Sequence, residues 1–452
     1  MSHLPSPDRE GIVALYAKFA SVMETCAPFE ITPVLAVAVS GGSDSMALLY
    51  LADHWAKIRG GYAIALIVDH GLRQESQQEA LQVTGWLETF QIPCHILSWK
   101  GKKPTKNLQA IAREKRYELL TEWCKSHHIL HLLLAHHADD QAETVMLRLL
   151  RGSGVDGLAA MSSLSSQNGV RLLRPLLNIP KQTLQSLLQQ LHWPWVEDPS
   201  NNNPLFERVR IRKYLSAETD NTLTRRLQQT AAQLGRTRAT LEAATAQAMV
   251  QCLTLFPEGY AALHTNRFNA LPEDIALRLL SAVLRTVSGS CYTTRYSHLL
   301  GLYHAMNAPS FSGRTLHGCA IFPYKKQLLI ARERSVIEKS AGIIPQHTML
   351  WDHRFLLKIS TTARDHLSYK ATALSPLLWK AFQTEFPEIL AKSVLSSLPK
   401  KILYTLPVVT ALENIVAFPH INWIRTTENM SVLCHFHPYA PVSRAYFHYI
   451  SE

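Results

Sequence analysis

The sequence between Val34 and Tyr50 restricts the possible fold more than any other part of the chain. It reads VLAVAVSGGSDSMALLY, an apolar run that stops at Ser40, followed by two glycines and a stretch with helical composition. Small and β-branched residues in a short apolar run indicate a strand that is buried on both faces. Gly41 and Gly42 can adopt backbone angles that side chains forbid. The stretch therefore predicts a strand, a tight loop and the start of a helix.

The loop at residues 40–45 has the composition of an anion-binding site. Its backbone N–H groups and the positive end of the following helix attract a negatively charged ligand such as a phosphate. A Walker loop requires a lysine after its second glycine, and a dinucleotide fingerprint requires a third glycine. The sequence SGGSDS has neither. A phosphate site of another type is indicated, and the alternative is an ordinary glycine turn.

The same loop resembles that of the PP-loop ATP pyrophosphatases, whose SGGxDS motif it matches. Enzymes of that superfamily split ATP into AMP and pyrophosphate and so adenylate a substrate. The resemblance implies that ATP is the ligand and that the following loop residues bind it: Ser40, Gly41, Gly42, Ser43, Asp44 and Ser45.

Apolar runs that suit strands alternate with helical stretches through the first third of the chain. Such alternation predicts an α/β domain with a doubly wound parallel sheet. In sheets of this kind, ligands bind beyond the carboxyl ends of the strands. The polar residues that follow the predicted strands are therefore candidate site residues. The four predicted strands span residues 34–39, 63–68, 94–99 and 131–135.

Two sets of polar residues accompany the second and third predicted strands. Asp69 follows the second strand and either contacts a nucleotide or caps the next helix. Arg113 and Arg116 lie three residues apart on a predicted helix and share one face. An arginine that reaches a phosphate would stabilise the charge that builds up as pyrophosphate leaves. The alternative, which suits Arg116 better than Arg113, is a solvated basic face paired with Glu114 and Glu118.

The sequence HHADDQAE, which begins at His136, places three carboxylates at the start of a helix. The helix dipole alone favours one or two carboxylates there. Asp139 and Glu143 share a face, and Asp140 is close to it. Three such groups at a strand end form a site for a cation, either Mg²⁺ or an amine. A metal site using His136 and His137 is disfavoured, because no third ligand has zinc-like spacing.

Composition favours a nucleic-acid partner and a reducing compartment. The formal net charge is +11 without a long basic tail, which points to a polyanion, first nucleic acid and second an anionic membrane. The seven cysteines are scattered without a Cys-x-x-Cys pair, which disfavours disulfides and cysteine metal sites. No apolar run approaches the ~20 residues of a membrane helix, and the first 30 residues lack the apolar core of a signal peptide. We expect a cytoplasmic protein that does not bind membranes.

The second half of the chain has a different organisation from the first. Basic residues become frequent after residue 205, and Arg208, Arg210 and Arg212 alternate within one short stretch. Basic helices there could follow a nucleic-acid backbone, or they could simply present a solvated face. The predicted parts are an α/β domain (1–215), a helical connector (216–250), a mainly helical domain (251–335), a linker (335–345) and a small β-rich domain (346–452).

Six motifs occur in one order and make the resemblance specific. Together they are similar to those of the tRNA(Ile)-lysidine synthetase family. That family uses ATP to join free L-lysine to the wobble cytidine of an isoleucine tRNA with a CAU anticodon. The motifs are SGGSDS (40–45), VDHGLR (68–73), NLQAIAREKRY (107–117), HHADDQAETVMLRLLRGSGVDGL (136–158), RPLL (174–177) and EDPSN (197–201).

The resemblance implies a role for each candidate residue. Asp44 would position Mg²⁺ or the nucleotide, and Arg113 would neutralise phosphate charge during adenylation. Asp69 and His136 would contribute to ATP binding. Asp140 and Glu143 would bind the ammonium groups of lysine. Phosphates of tRNA or ATP would be contacted by Arg208, Arg210 and Arg212.

One departure from the family pattern is visible. The family usually has Arg-Asn-Arg-Ile-Arg near the end of the catalytic domain, and this chain has Val209 in place of the asparagine. Valine cannot make the hydrogen bonds of an asparagine, so that contact is missing here. The resemblance further implies that residues 251–335 and 346–452 bind and recognise tRNA, and it allows a homodimer.

Two other functions are compatible with parts of the sequence. Another PP-loop adenylating enzyme, such as a 2-thiolating enzyme or a synthetase of the GMP type, would share the loop. Thiolating enzymes need paired catalytic cysteines or Cys-x-x-Cys sites, and a GMP-type enzyme needs a glutaminase; the sequence shows neither. A tRNA-binding protein with an inactive ATPase fold is the third reading, and the intact SGGSDS loop disfavours it.

Overall fold

The computed structural model describes residues 6–71, 75–101, 108–197, 207–216, 222–361, 368–391, 393–425, 430–443 and 447–450. The chain divides into two compact units. The first, here the catalytic unit, comprises Met1–Thr240 and Ala445–Glu452. The second, here the C-terminal unit, comprises Leu241–Arg444.

A six-stranded sheet forms the centre of the catalytic unit. Its strand order is β3-β2-β1-β4-β6-β5, and every neighbouring pair is parallel except β5 with β6. The predicted doubly wound α/β fold and its four strands are confirmed, and the β5–β6 hairpin is an addition. The strands are β1 (Val34–Val39), β2 (Tyr62–Asp69), β3 (Cys94–Ser98), β4 (His131–Leu133), β5 (Leu164–Gln167) and β6 (Val170–Leu173).

Burial on both faces explains the apolar sequence of β1. Leu35 and Val37 belong to one hydrophobic core, which is shared with α1, α2, α3 and α7, whereas Ala36 and Ala38 belong to a second core on the α4 side. Successive side chains of a strand point to opposite faces, so both faces need apolar residues. The helices are α1 (Ser6–Thr25), α2 (Ser43–Ile58), α3 (Glu75–Thr89), α4 (Leu108–Ser126), α5 (Ala138–Leu150), α6 (Val155–Leu158), α7 (Lys181–Gln190), α8 (Glu207–Ser216) and α9 (Thr222–Cys252).

The first part of the C-terminal unit packs three helices on an antiparallel sheet. The sheet has the order β7-β8-β11-β10-β9, and the apolar face of α11 packs against it in a single core. The elements are β7 (Leu253–Leu255), β8 (Ala261–His264), α10 (Thr265–Asn269), α11 (Glu273–Ser288), α12 (Tyr296–Met306), β9 (Arg314–Leu316), β10 (Cys319–Tyr324) and β11 (Gln327–Arg332).

The second part of the C-terminal unit has two antiparallel sheets, with strand orders β12-β15-β16-β17-β18 and β13-β14-β19. The linker predicted at residues 335–345 is wrong, because β12 lies within it and pairs with β15. The remaining elements are β12 (Ser340–Ile343), β13 (Thr348–Trp351), β14 (Phe355–Thr361), β15 (Tyr369–Ala373), α13 (Pro376–Glu385), α14 (Pro387–Ala391), α15 (Lys400–Leu403), β16 (Pro407–Ala411), β17 (Asn414–Phe418), β18 (Trp423–Ile424) and β19 (Met430–Phe436).

The division between the two units falls inside α9, which also contains most of the predicted connector at 216–250. The finer four-domain division stays a prediction. None of the helices that the structure describes is long and apolar enough to span a membrane.

Candidate active site

The glycine loop lies at the carboxyl end of β1 and leads directly into α2. Gly41 has φ +83°, and a Cβ atom there would lie 2.8 Å from Val83 Cγ2, so glycine is required on both counts. Ser45 Oγ donates to the Gly42 carbonyl at 2.9 Å and accepts from the Ser40 N–H at 3.1 Å. The loop is therefore closed by its own hydroxyl, and the start of α2 faces the end of the strand.

Asp44 lies in the first turn of α2 and is surrounded by cations. Its Oδ2 is 3.5 Å from His137 Nε2 and 3.7 Å from Lys181 Nζ, and Ser43 Oγ donates to its Oδ1 at 3.3 Å. Burial alone would raise the pKa of Asp44, but His137 and Lys181 together hold that pKa below its usual value. Asp44 is therefore ionised at neutral pH, at the mouth of the loop.

His137 joins the end of β4 to the glycine loop. Its ring has carboxylate oxygens on both nitrogens: Nδ1 is 3.2 Å from Asp139 Oδ2, a contact that is poorly aligned for a hydrogen bond, and Nε2 is 3.6 Å from Asp140 Oδ2. Burial lowers the pKa of His137, but Asp139, Asp44 and Asp140 outweigh burial and raise the pKa to about 10. The imidazolium therefore links three carboxylates. Sequence reasoning gave His137 no role beyond a disfavoured metal site.

Asp140 and Glu143 bind two guanidinium groups of α8. Arg208 donates through Nη2 to Asp140 Oδ1 at 3.0 Å and through Nε to Glu143 Oε2 at 2.7 Å. Arg212 donates through Nε to Glu143 Oε1 at 2.6 Å. The Glu143 side chain is 2% exposed, and a buried carboxylate needs such partners. The two carboxylates are thus paired with arginines of the protein itself, and their role as an amine site stays a prediction.

Arg210 is not part of this contact, because alternate residues of a helix point in different directions. Arg208 and Arg212 are four apart and share the face toward α5, whereas Arg210 is exposed. Val209 is 9% exposed, and Ile211 and Leu215 of α8 are buried as well. The valine that replaces the family asparagine is therefore part of the apolar face of α8.

His136 lies in a positively charged surrounding. Burial lowers the pKa of His136 to about 3; Asp140 opposes the shift, and the charges of Arg174, Arg113 and Arg208 add to it. Arg113 is largely exposed, with Nη2 donating to the Tyr117 hydroxyl at 3.3 Å. His136 is therefore uncharged at neutral pH, and the positive charges of the three arginines contribute to this. Arg174 was not singled out from the sequence; only its position in the RPLL motif indicated it.

Two other predicted residues have mainly local contacts. Asp69 Oδ1 accepts from the Gly71 N–H and from Ser76 Oγ, both at 2.8 Å, so this carboxylate shapes the turn that follows β2. Burial lowers the pKa of Arg116, which does not fit the solvated face considered from the sequence. Parts of three motifs, at residues 72–73, 107 and 198–201, lie outside the described residues.

A cavity of about 470 Å³ opens beside the carboxylates of α5. It is lined by groups of both charges, of which Glu143 and Arg212 are paired with each other. Glutamine, serine and threonine side chains supply further hydrogen-bonding groups. The charged or hydroxylated lining includes His137, Asp139, Glu143, Lys181, Arg212 and Thr224.

Asp44 is the side chain best placed to hold Mg²⁺, since Mg²⁺ in nucleotide sites usually takes one or two carboxylates together with phosphate oxygens. Asp44 fits that pattern because it is ionised and lies at the loop. Within the described part of the chain, no group of three or more His, Cys, Asp or Glu side chains could hold a metal ion by itself.

Residues 15–219 match the PP-loop domain family. With the parallel sheet and the SGGSDS loop at the end of β1, this match defines the chain as an enzyme of the ATP-using PP-loop class. Three curated relatives extend the similarity beyond the catalytic unit, and each is described as a tRNA(Ile)-lysidine synthase. The chain belongs to the tRNA(Ile)-lysidine synthase family.

The relatives differ little in how much of the chain they cover. The protein of Wolbachia from Brugia malayi is 38% identical over 87% of this chain and 90% of its own length. The protein of Wolbachia pipientis wMel is 37% identical over 88% of this chain and 92% of its own length. The protein of Orientia tsutsugamushi is 32% identical over 95% of this chain and 98% of its own length. The similarity therefore includes both units.

Proposed function

We propose that this enzyme ligates free L-lysine to the wobble cytidine of an isoleucine tRNA with a CAU anticodon, and that it releases AMP and pyrophosphate. The observation that carries the proposal is the position of the cation-binding carboxylates Asp140 and Glu143. They lie in the same site as the phosphate loop, with His137 joining the two through Asp44. An adenylating loop beside an amine site is what amine ligation requires.

In the first step, the cytidine O2 attacks the α-phosphorus of ATP and the bond to pyrophosphate breaks. The N–H groups of the loop, with Ser40 and Ser45, would hold the phosphates. Asp44 would hold Mg²⁺ or orient the nucleotide, and Mg²⁺ would neutralise phosphate charge. Arg113 would stabilise the charge that develops on pyrophosphate. ATP use follows from the PP-loop class, whereas Mg²⁺ and these residue roles are part of the proposal.

In the second step, the lysine ε-amine attacks C2 of the adenylated cytidine, and the C2–O2 bond breaks to release AMP. Arg208 and Arg212 now fill the positions that an ammonium group would take at Asp140 and Glu143. Their guanidinium groups serve as stand-ins, which supports amine binding by this pair. Lysine would share or replace these contacts, and Arg210, which is exposed, would contact a tRNA phosphate.

The amine must lose a proton before it attacks. A general base works best when its pKa is near the operating pH, and burial lowers the pKa of His136 to about 3. His136 is therefore a poor base, and by position the candidates are the carboxylates of Asp140 and Glu143, which would lie next to the bound amine. His136 would instead contact ATP as a neutral hydrogen-bonding group.

We assign tRNA recognition to the part of the chain that follows the helical connector. The parts at 251–335 and 346–452 would bind and recognise the tRNA, as the net charge of +11 favours. We also propose that the enzyme is located in the cytoplasm and that it forms a homodimer.

The test is pyrophosphate release by the purified enzyme with ATP, in the presence and absence of lysine and of isoleucine tRNA. Release that requires both, with a lysine-sized mass increase on the wobble base, is the expected result. Release that needs tRNA and a sulfur donor but not lysine would indicate the 2-thiolating alternative. tRNA binding without any pyrophosphate release would indicate an inactive ATPase fold.

A further inference from the structure

We propose that residues 447–450, the last described segment of the chain, are a positioning element of the adenylation site that acts through Ser162 and Arg174. The segment belongs to the catalytic unit, although the whole C-terminal unit separates it in sequence from the rest of that unit. This inference rests on the proposed function, because it concerns the site where ATP is bound and split.

The segment docks through its backbone on two consecutive serines. The His448 carbonyl accepts from the Ser163 N–H at 2.9 Å and from Ser163 Oγ at 3.1 Å. The His448 N–H donates to Ser162 Oγ at 2.9 Å. Ser162 Oγ also donates to the His448 carbonyl at 3.1 Å. Four hydrogen bonds therefore fix one residue of the segment against the residues that precede β5.

An aromatic ring anchors the other side of the segment on α9. Phe447 is 6% exposed, and the Arg238 guanidinium carbon lies 4.4 Å from its ring centroid. A Cβ atom at Gly235 would approach Phe447 Cε1 and Tyr449 Cβ to 3.1 Å. The close approach of the helix backbone to both side chains shows that this part of α9 is shaped to receive the segment.

The same two serines hold Arg174. Arg174 Nη1 donates to the Ser162 carbonyl and to Ser165 Oγ, both at 3.0 Å, and the Arg174 N–H donates to the Ser163 carbonyl at 2.8 Å. The C-terminal segment and Arg174 thus both form hydrogen bonds with one dipeptide. A shift of Ser162 and Ser163 would move the anchor of Arg174.

Arg174 lies at the same edge of the sheet as His136, because it directly follows β6, whose Leu173 pairs with Leu133 of β4. Its Nε is buried and has no hydrogen-bond partner among the described residues. Tyr117 lies beside Arg174 and also accepts from Arg113 Nη2 at 3.3 Å, so one hydroxyl connects the two guanidinium groups. The charges of both arginines act on His136. An oriented pair of guanidinium groups with an unused donor suits phosphate oxygens.

The segment therefore keeps Arg174 in the geometry that phosphate binding needs, without touching substrate itself. Releasing the segment should weaken ATP binding and pyrophosphate release. It should leave tRNA affinity nearly unchanged, because the tRNA contacts proposed above, at Arg210 and in the C-terminal unit, do not include this segment.

The experiment compares His448→Pro with His448→Ala in the full-length enzyme. Proline removes the N–H that donates to Ser162 Oγ, whereas alanine keeps the backbone N–H and C=O and is the matched control. We expect His448→Pro to lower kcat/KM for ATP about 10- to 100-fold, the loss typical of one charge-assisted contact. His448→Ala should stay within about twofold of the parent, and tRNA affinity should be unchanged in both. If His448→Pro fails to fold, Ser162→Ala takes its place as the test variant, because it removes both bonds of Ser162 Oγ to His448 together with the bond to the Leu164 carbonyl.

A double-mutant cycle separates positioning from general destabilisation. If the segment acts through Arg174, His448→Pro should cause little further loss in an Arg174→Ala background. Equal kcat/KM values for His448→Pro and His448→Ala in an active parent, or full additivity with Arg174→Ala, would overturn the inference. Failure of the proposed function would be recognised separately, as a parent enzyme without lysine- and tRNA-dependent pyrophosphate release.

Discussion

Asp44 is the residue on which the proposed adenylation depends most directly. It is ionised, lies in the first turn of α2 and faces His137 and Lys181. We expect Asp44→Ala to lower the rate of pyrophosphate release by about 10²–10³-fold, a loss typical of removing one preorganised electrostatic group. Far-UV circular dichroism should show an unchanged fold.

Asp53→Asn is the matched control, because Asp53 lies on the same helix, pairs with Lys57 and is remote from the loop. It should keep normal turnover. Normal turnover of Asp44→Ala itself would show that the site has been assigned to the wrong residue.

Glu143 should determine lysine affinity. Glu143→Gln removes the charge while keeping the shape of the side chain, so the ammonium group and Arg212 lose their partner. We expect lysine binding, measured by calorimetry, to weaken by at least about tenfold, as for a charge-assisted hydrogen bond. Glu207→Gln is the control, because that side chain is 43% exposed and its ion pair with Arg151 lies at the surface, where such pairs contribute little. Unchanged lysine affinity in Glu143→Gln would remove Glu143 from the amine role.

His137 should make stability depend on pH in the alkaline range. The pKa of His137 is raised from 6.5 to about 10 in the folded protein. Its contribution is therefore complete below pH 6.5 and is lost as the pH rises toward 10. Denaturant unfolding should show a decline in the free energy of unfolding over this window, and His137→Gln should show a smaller decline. Parallel pH profiles for parent and variant would contradict the assigned charge.

The sequence identified the loop, the carboxylates and the arginines of α8 as candidates, but not the pairs that they form. Asp44 and Asp140 lie in the first turns of the helices that follow β1 and β4, so the rule that ligands bind at strand ends pointed to them. Arg208 binds Glu143 from 65 residues further along the chain. His137 lies between carboxylates of two different elements. Such pairs depend on how segments pack, and no local pattern in a single sequence encodes that.

At the level of elements, α8 shows how one helix separates two roles. Arg208 and Arg212 face the carboxylates of α5, whereas Val209, Ile211 and Leu215 are buried. Val209→Asn, which restores the family residue, should destabilise this protein by roughly 1–3 kcal/mol, because it places an amide in an apolar surrounding. Urea unfolding measures the change.

Arg210→Asn is the control for that measurement, since Arg210 is exposed on the same helix. It should change the free energy of unfolding by no more than about 0.5 kcal/mol. An equally stable Val209→Asn protein would show that the surroundings of Val209 supply partners for the amide.

Helices and strands were predicted where the sequence pattern was strong. They were missed where a strand forms only because another strand pairs with it. The apolar run of β1 predicted a strand with two buried faces, and both cores are present. β5 has the sequence LSSQ, too polar to stand out, and exists through its pairing with β6. β12 lies in a stretch without alternating apolar and polar residues, and it forms by pairing with β15, about 30 residues further along the chain. A local residue pattern does not show which distant segment a strand will pair with, and that pairing decides whether such strands form.

At the scale of the whole molecule, the net charge of +11 should appear as salt-dependent tRNA binding. Each lysine or arginine that neutralises a phosphate releases counterions, so affinity falls with salt in proportion to the number of such contacts. Lys325 and Lys326 are exposed at the turn between β10 and β11, in the part of the chain proposed to bind tRNA. Substituting these two lysines therefore tests directly whether this part of the chain binds tRNA.

We expect the double substitution Lys325→Glu with Lys326→Glu to weaken tRNA binding and to reduce the slope of log affinity against log salt by about one for each lost phosphate contact. The control is Lys57→Glu with Lys125→Glu, which has the same net charge. These lysines lie in the last turns of α2 and α4, and each helix runs back from the carboxyl ends of the strands to their amino ends, away from the site. Equal slopes for the two double variants would mean that net charge alone steers tRNA to this enzyme. A smaller slope only for Lys325 and Lys326 would place tRNA phosphates at the β10–β11 turn.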